Sequence, residues 1–284
     1  MEPSRSSPTS EILAELKKHS FYHFIDLGDG RETAGWAIAR PGQQLVLRQL
    51  DRLSFEGKRV LDVGCRDGLF SFYAEKRSAA EVIGIDNSLS AGAVEVLIPH
   101  FRSRVRMHEI NLFDLTPDRF GRFDIINFPG VLYHLRYPFL ALKILRDLLT
   151  PNGILVLETA ILRIHEGTPL LYCPAPEESP YEKTSVTFFN PRGLRDSLAS
   201  FGYRVEGCDY LYGINAYRLP YTNLRFRLAA LANQLQRWTP RLVRLLLRRY
   251  VIDRGVFVCR IDPTLIDPEL EDYWNRVYKN VTYD

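Results

Sequence analysis

From Lys58 onward, short apolar runs alternate with stretches of helical periodicity. That alternation predicts a mainly parallel sheet with helices on both faces. The runs lie near residues 59–63, 81–85, 104–110, 123–128 and 154–158, with helices between them at about 68–77, 88–100 and 138–149. Pro151-Asn152-Gly153 predicts the turn before the fifth strand. A helix over 191–201 and strands near 203–211 and 255–261 complete a seven-stranded sheet. The fold class that follows is α/β.

The flanks read differently. Residues 1–19 are expected to be a disordered, Ser- and Pro-rich start with a short helix opening at Thr9-Ser10-Glu11. Within 20–57, Leu45, Val46, Leu50 and Leu53 fall on one helical stripe, which predicts a helical cap. The core then spans 58–212. More than 40 residues separate the last two strands, too many for a hairpin, so residues 213–254 are expected to form a helical insertion. It carries nine arginines against one acid, Asp253. Arg241, Arg244 and Arg248 share a helical face, and Leu242, Leu245, Leu246 and Leu247 lie elsewhere. Residues 255–284 supply the last strand and a terminal helix, whose Leu270, Tyr273 and Trp274 are expected to pack on the body.

Composition narrows the classes. The 284 residues are 46% hydrophobic and 25% charged, which is ordinary globular usage and excludes collagen-like or disordered chains. Lys and Arg total 37 against 34 Asp and Glu, so any preference for nucleic acid or a membrane surface must come from local clustering. The four cysteines are far apart with no C-x-x-C pair, which suggests neither a disulfide framework nor a metal site. Without an apolar leader or an apolar run of about 18 residues, the expectation is a soluble cytoplasmic protein.

The chemistry is concentrated in Val60-Leu-Asp-Val-Gly-Cys-Arg-Asp-Gly68, an apolar strand opening into a loop with two glycines and then a helix. Gly64 allows a sharp turn and leaves room for a ligand against the main chain, and Gly68 allows close packing where the helix begins. Loop amides there can bind a carboxylate as readily as a phosphate. A dinucleotide site needs G-x-G-x-x-G, and Arg66 stands where the second glycine would be. The stretch resembles instead motif I of the class I S-adenosylmethionine-dependent methyltransferases, in relaxed form. That resemblance implies their Rossmann-like fold, S-adenosylmethionine as cofactor, and Asp62, Gly64, Cys65, Arg66 and Gly68 around it. Asp86 ends the next strand, 22 residues after Gly64, where an acid accepts from ribose hydroxyls; capping the helix near Leu89 is the alternative. Asn111 follows the third strand at the adenine position with Leu112 beside it; a turn role for Asn111 and a core role for Leu112 are the alternatives. Beyond the fourth strand the segment from Phe128 to Leu135 is expected to open a helix at the cofactor. Tyr133 there would border the transferred methyl group and His134 would accept a proton, although a lone histidine is more often structural.

Three segments carry a closer resemblance: Gly130-Val-Leu-Tyr-His134, Val156-Leu-Glu-Thr159 and Tyr22-His23-x-Ile25-Asp26-Leu-Gly28. Over roughly residues 20–212 the chain resembles the methyltransferase family that includes the tRNA wobble-uridine carboxymethyltransferases. The resemblance implies that Tyr133 contacts the transferred group. Those enzymes also use a lysine ahead of motif I and a late arginine to hold the extra carboxylate of carboxy-S-adenosylmethionine. Residues 19–57 contain no lysine, and Arg218 is the candidate for the arginine. A buried carboxylate lacking one partner is costly, so ordinary S-adenosylmethionine is the expected donor. The function expected is methyl transfer to oxygen or nitrogen of a small-molecule or glycan-like acceptor, with His23, His134 and Glu158 as candidate bases. One alternative is tRNA modification, with the Arg-rich insertion on phosphates. Another is a non-catalytic protein on the same fold whose basic helix docks on a membrane surface or a partner.

Overall fold

A computed structural model describes residues 8–163, 167–175, 178–211 and 252–279. Most of the expected insertion, including Arg218, Arg241, Arg244 and Arg248, lies outside the described residues. The sheet uses β3 (Arg59–Val63), β4 (Glu81–Asp86), β5 (Arg106–Glu109), β6 (Phe123–Pro129), β7 (Leu149–Leu162), β10 (Tyr203–Tyr210) and β11 (Ile252–Ile261). Two short strands of the cap, β1 (Asp26–Gly28) and β2 (Arg31–Glu32), form a separate pair, and β8 (Leu171–Tyr172) pairs with β9 (Phe188–Phe189), which in turn pairs with β7. The main order is β10-β11-β7-β6-β3-β4-β5. The five strands from β7 to β5 run parallel, and β11 runs antiparallel to both its neighbours. Strand order reverses between β3 and β6, the place where open α/β sheets leave a crevice at their carboxyl ends.

The strand period of two builds two cores. On β3 Leu61 and Val63 point to one face with Ile126 and Phe128 of β6, Leu155 and Leu157 of β7, and Phe257 of β11. Helices α6 (Pro138–Leu148) and α7 (Pro191–Ser200) close that face through Leu142, Leu145, Leu194 and Leu198. Val60, Val82, Ile125, Val156 and Val256 point to the other. There they meet α2 (Arg40–Leu50) through Leu45, Val46 and Leu50, and α3 (Leu69–Lys76) through Phe70, Phe72 and Ala74. No helix among the described residues is long and apolar enough to cross a membrane.

Outside the insertion, the expected elements are present with shifted edges. Thr9 caps α1 (Ser10–Leu16) by accepting from the Ile12 amide. The helix expected over 88–100 contains a π-helical stretch, Gly92–Leu97, just before α4 (Ile98–Phe101), where Pro99 lacks an amide to donate. The Pro-Asn-Gly turn is a bulge inside β7: pairing with β6 skips from Leu149 to Ile154. A short α5 (Pro117–Phe120) precedes β6. β11 begins at Ile252, so the boundary expected at 254 falls within it. The terminal helix α8 (Pro268–Lys279) corrects an expectation. Glu271 ties it to Arg146 of α6 at 2.6 Å, which leaves Tyr273 and Trp274 largely exposed instead of packed.

Candidate active site

A cavity of about 900 Å³ opens at the carboxyl ends of β3, β4, β6 and β7, with the cap on one side. The loop after β3 shapes its floor. Gly64 adopts φ +78°, and a Cβ there would lie 2.3 Å from Cγ2 of Val131, so the position requires glycine twice over. Arg66 takes the left-handed region without being glycine, at φ 44°. That conformation costs about 1–2 kcal/mol and is held by the neighbours of its peptide units. Its amide donates to Asp86 Oδ2 at 3.0 Å, and its carbonyl accepts from Ser90 at 3.2 Å.

The loop amides differ from expectation. Those of Gly64 and Cys65 both donate to the Ile85 carbonyl, and that of Gly68 donates to the Cys65 carbonyl, so they close the loop onto β4 instead of facing a ligand. Four expected cofactor residues are off the cavity wall. Asp62 is buried toward α3, where Ser71 and Asn127 donate to its two oxygens at 2.7 and 3.0 Å. Its pKa is raised by burial, partly offset by those bonds. Cys65 is buried against Gly84, and burial pushes its thiol up. Gly68 caps α3 in the left-handed conformation against Met107. Phe128 follows Ile126 by two residues and therefore points into the α6–α7 core.

The other expected residues do reach the cavity: Gly64, Arg66, Asp86, Asn111, Leu112, Tyr133 and His134. Asp86 accepts from the Ser88 amide at 2.8 Å as well as from Arg66, so it caps locally and still presents a carboxylate to the cavity. Burial raises its pKa, against the pull of those two bonds. Asn111 accepts from the Phe113 amide at 3.0 Å and also lines the wall. With Val63, Ile85, Ile110 and Leu112 around them, an acid and an amide on an apolar wall suit a flat base joined to a polar sugar. The segment after β6 is a 3-10 turn, Leu132–His134, and α6 starts only at Pro138, a residue suited to the first turn of a helix.

At the other end of the cavity is a buried polar cluster. Arg254 clamps Glu158 with Nε and Nη2 at 2.5 and 2.6 Å. Its Nη1 donates to the hydroxyls of Tyr133 at 3.2 Å and Tyr181 at 2.9 Å. The register explains the pairing: Arg254 lies opposite Ala160 and Val256 opposite Glu158, so the ion pair is the diagonal on one sheet face. Burial works against the Arg254 charge, but Glu158 more than restores it. Burial likewise holds the Tyr133 phenol well above its ordinary range, against the opposing pull of Arg254. His134 stacks obliquely on Tyr133 at 4.2 Å, with Nδ1 3.3 Å from the Thr184 carbonyl and Nε2 3.8 Å from Glu182. Burial lowers its pKa.

Several functional candidates were not singled out from the sequence. Arg254 reads there as one of nine arginines of a basic insertion, and Tyr181 sits in a loop without periodicity. Asp67, between the two glycines, is fully buried and accepts the amides of Tyr22 and His23 at 2.6 and 2.8 Å, joining the cap to the loop. Its only sequence signal was its place in the motif.

The sequence profile of the family described as a methyltransferase domain matches residues 37–207. A tRNA U34 carboxymethyltransferase of Azotobacter vinelandii is 30% identical over 177 residues, covering 62% of this chain and 52% of that one. The protein of that name from Methylococcus capsulatus is 34% identical over 151 residues, covering 52% and 45%. The chain thus spans about half the length of the curated relatives it matches. Among solved structures, the N-terminal domain of EvdMO1, crystallised with S-adenosylhomocysteine and D-fucose, aligns at TM-score 0.57 and 16% identity over 90% of this chain and 99% of that one. The [4+2]-cyclase SpnF aligns at 0.54 and 19% identity over 89% and 93%. A cyclase among these neighbours shows why such likenesses speak for the fold alone. The profile match covers more than half of the chain, and with the crevice at the strand reversal it places the protein: the chain belongs to the methyltransferase-domain family, in the class I, S-adenosylmethionine-dependent group.

Proposed function

We propose that this chain transfers a methyl group from S-adenosylmethionine to an oxygen or nitrogen of a tRNA nucleoside. The observation that carries the acceptor is the 30–34% identity to relatives named as tRNA U34 carboxymethyltransferases. The donor, when bound, supplies an activated methyl on a good leaving group. The protein's task is then to align the acceptor and exclude water, a contribution worth effective molarities on the order of 10⁵ M or more. Asp86 accepts from the ribose hydroxyls, Asn111 and Leu112 flank the adenine, Gly64 and Arg66 shape the loop beneath, and Tyr133 borders the methyl group. Plain S-adenosylmethionine is favoured over its carboxylated form because residues 19–57 hold no lysine and the Arg254 charge is already matched by Glu158.

Trideuteromethyl donor incubated with unfractionated tRNA, followed by mass spectrometry of the nucleosides, tests this directly. A nucleoside heavier by one labelled methyl is expected. A second reading, a small-molecule or glycan-like acceptor, is favoured by the cavity itself, which the cap partly covers with Trp36, Ile38, Ala39 and Val46. Label in the metabolites of an extract and none in RNA selects that reading. If calorimetry finds no binding of S-adenosylhomocysteine at millimolar concentration, both readings fall.

A further inference from the structure

The geometry points to His23 as the group that takes the acceptor's proton, with Asp67 as the positioning residue that orients it. This rests on the methyl-transfer reading above. His23 lines the cavity from the cap, and its backbone is fixed by Asp67 Oδ2, which accepts both its amide and that of Tyr22. Nδ1 of the ring lies 3.3 Å from the same oxygen, with the two side chains 8% and 0% exposed. Phe70 packs its ring edge-on at 5.6 Å and Tyr22 at 5.0 Å, so the imidazole is held on both flanks. Nδ1 of His23 and Oδ1 of Asp67 are both buried without a hydrogen-bond partner. A carboxylate at Nδ1 favours the tautomer with the proton there and leaves the Nε2 lone pair free. Nε2 makes no hydrogen bond among the described residues.

The other two candidate bases lack this arrangement. Both oxygens of Glu158 are taken by Arg254. His134 has Nδ1 on Thr184 and Nε2 facing Glu182, with no carboxylate behind a free nitrogen. Only His23 combines an unpartnered ring nitrogen on the cavity with an orienting acid. The step follows. The acceptor's oxygen or nitrogen bonds the methyl carbon as the carbon–sulfur bond breaks, the bonding pair stays on sulfur, and the acceptor's proton passes to Nε2. The imidazolium formed is balanced by Asp67 and returns its proton to water. The acceptor this suits carries its proton at neutral pH, a hydroxyl or an imide N–H, and is not an already ionised carboxylate or phenolate.

Two measurements decide it. Histidine-selective ¹⁵N NMR of the full chain saturated with S-adenosylhomocysteine reads the tautomer without turnover, His23 being assigned by its loss in His23→Gln. The neutral ring should carry its proton on Nδ1, and Asp67→Asn should shift it toward a mixture. A proton on Nε2 overturns the proposal whatever the acceptor. In single-turnover transfer to unfractionated tRNA at saturating donor, His23→Gln should lose about 100-fold or more in rate. Its affinity for S-adenosylhomocysteine should stay within threefold. A rate within threefold of wild type overturns the proposal. So does a tenfold loss of affinity with an unchanged saturated rate, which makes His23 a cofactor contact. If wild type labels no tRNA, the acceptor reading falls and the tautomer alone decides the dyad.

Discussion

The two ends of the cavity are built on different principles. At the β3–β4 end the wall is made by backbone conformation: a glycine that must turn, a carboxylate at a strand end, and amides that close the loop on β4. At the β7–β11 end it is made by side chains alone, with Tyr133, Glu158, Tyr181 and Arg254 drawn together from positions up to 121 residues apart. The first end is held mainly by main-chain shape, and the second by a buried charge whose partner must be present.

The sharpest way to break that contrast is Glu158→Gln. It leaves Arg254 buried with its charge uncompensated, and loss of one partner of a buried pair costs about 3–5 kcal/mol. Chemical denaturation should show that loss, and adding Arg254→Met should recover most of it. A single-variant loss below about 1 kcal/mol would mean that the ion pair does not organise this end. Gly64→Ala attacks the other end. The left-handed φ adds about 1–2 kcal/mol and the contact with Val131 about 1–3 kcal/mol more, so a lower melting temperature with weakened S-adenosylhomocysteine binding is expected. An alanine variant that melts and binds like wild type would remove the steric argument for this position.

The same contrast explains what could be read from the chain. The fold was legible because β3, β4, β6 and β7 alternate between two cores with period two, and the meeting of Gly64 and Asp86 on one cavity wall because they sit at the ends of adjacent strands. Within it, Phe128 and Asp62 were misplaced for one reason: a motif gives sequence proximity, whereas strand parity decides which face a residue takes, and their parity points them into the core and toward α3. The β7–β11 end was hidden because register, not spacing, makes it. Arg254 meets Glu158 only through the antiparallel pairing of β11 with β7. The terminal helix was misread because its amphipathic pattern does not reveal that Glu271 would seek Arg146 and turn the aromatics outward.

A smaller effect separates capping from binding at the β4 end. Asp86→Ala removes an acceptor from the amides of Arg66 and Ser88, worth about 1 kcal/mol of fold stability. If the carboxylate also accepts from a ribose, S-adenosylhomocysteine affinity should fall about 10- to 100-fold, the equivalent of about 1.4–2.7 kcal/mol. Calorimetry beside a thermal melt reads both. A stability loss with affinity retained would confine Asp86 to capping.

The smallest effect concerns the joint between the loop and the cap, where Asp67 and Asp86 titrate in opposite senses. Burial pulls the pKa of Asp67 upward, but the adjacent His23 ring and the donated amides of His23 and Tyr22 outweigh it and leave the pKa depressed. The folded chain therefore binds that proton less readily than the unfolded one. Its contribution is full above the unfolded value of about 3.9 and is lost as pH falls through the lower folded value. At Asp86 burial leaves the pKa raised, so its contribution runs the other way and weighs against the folded state as pH rises. Asp67→Asn keeps one acceptor oxygen and removes the charge, a loss of about 1 kcal/mol at pH 7. Denaturation curves for wild type and variant should thus converge as pH drops below about 4, the variant losing less stability on the way down. Curves that stay parallel to the acid end would mean that Asp67 holds the cap by shape alone, and the joint would then belong with the backbone-built end of the cavity.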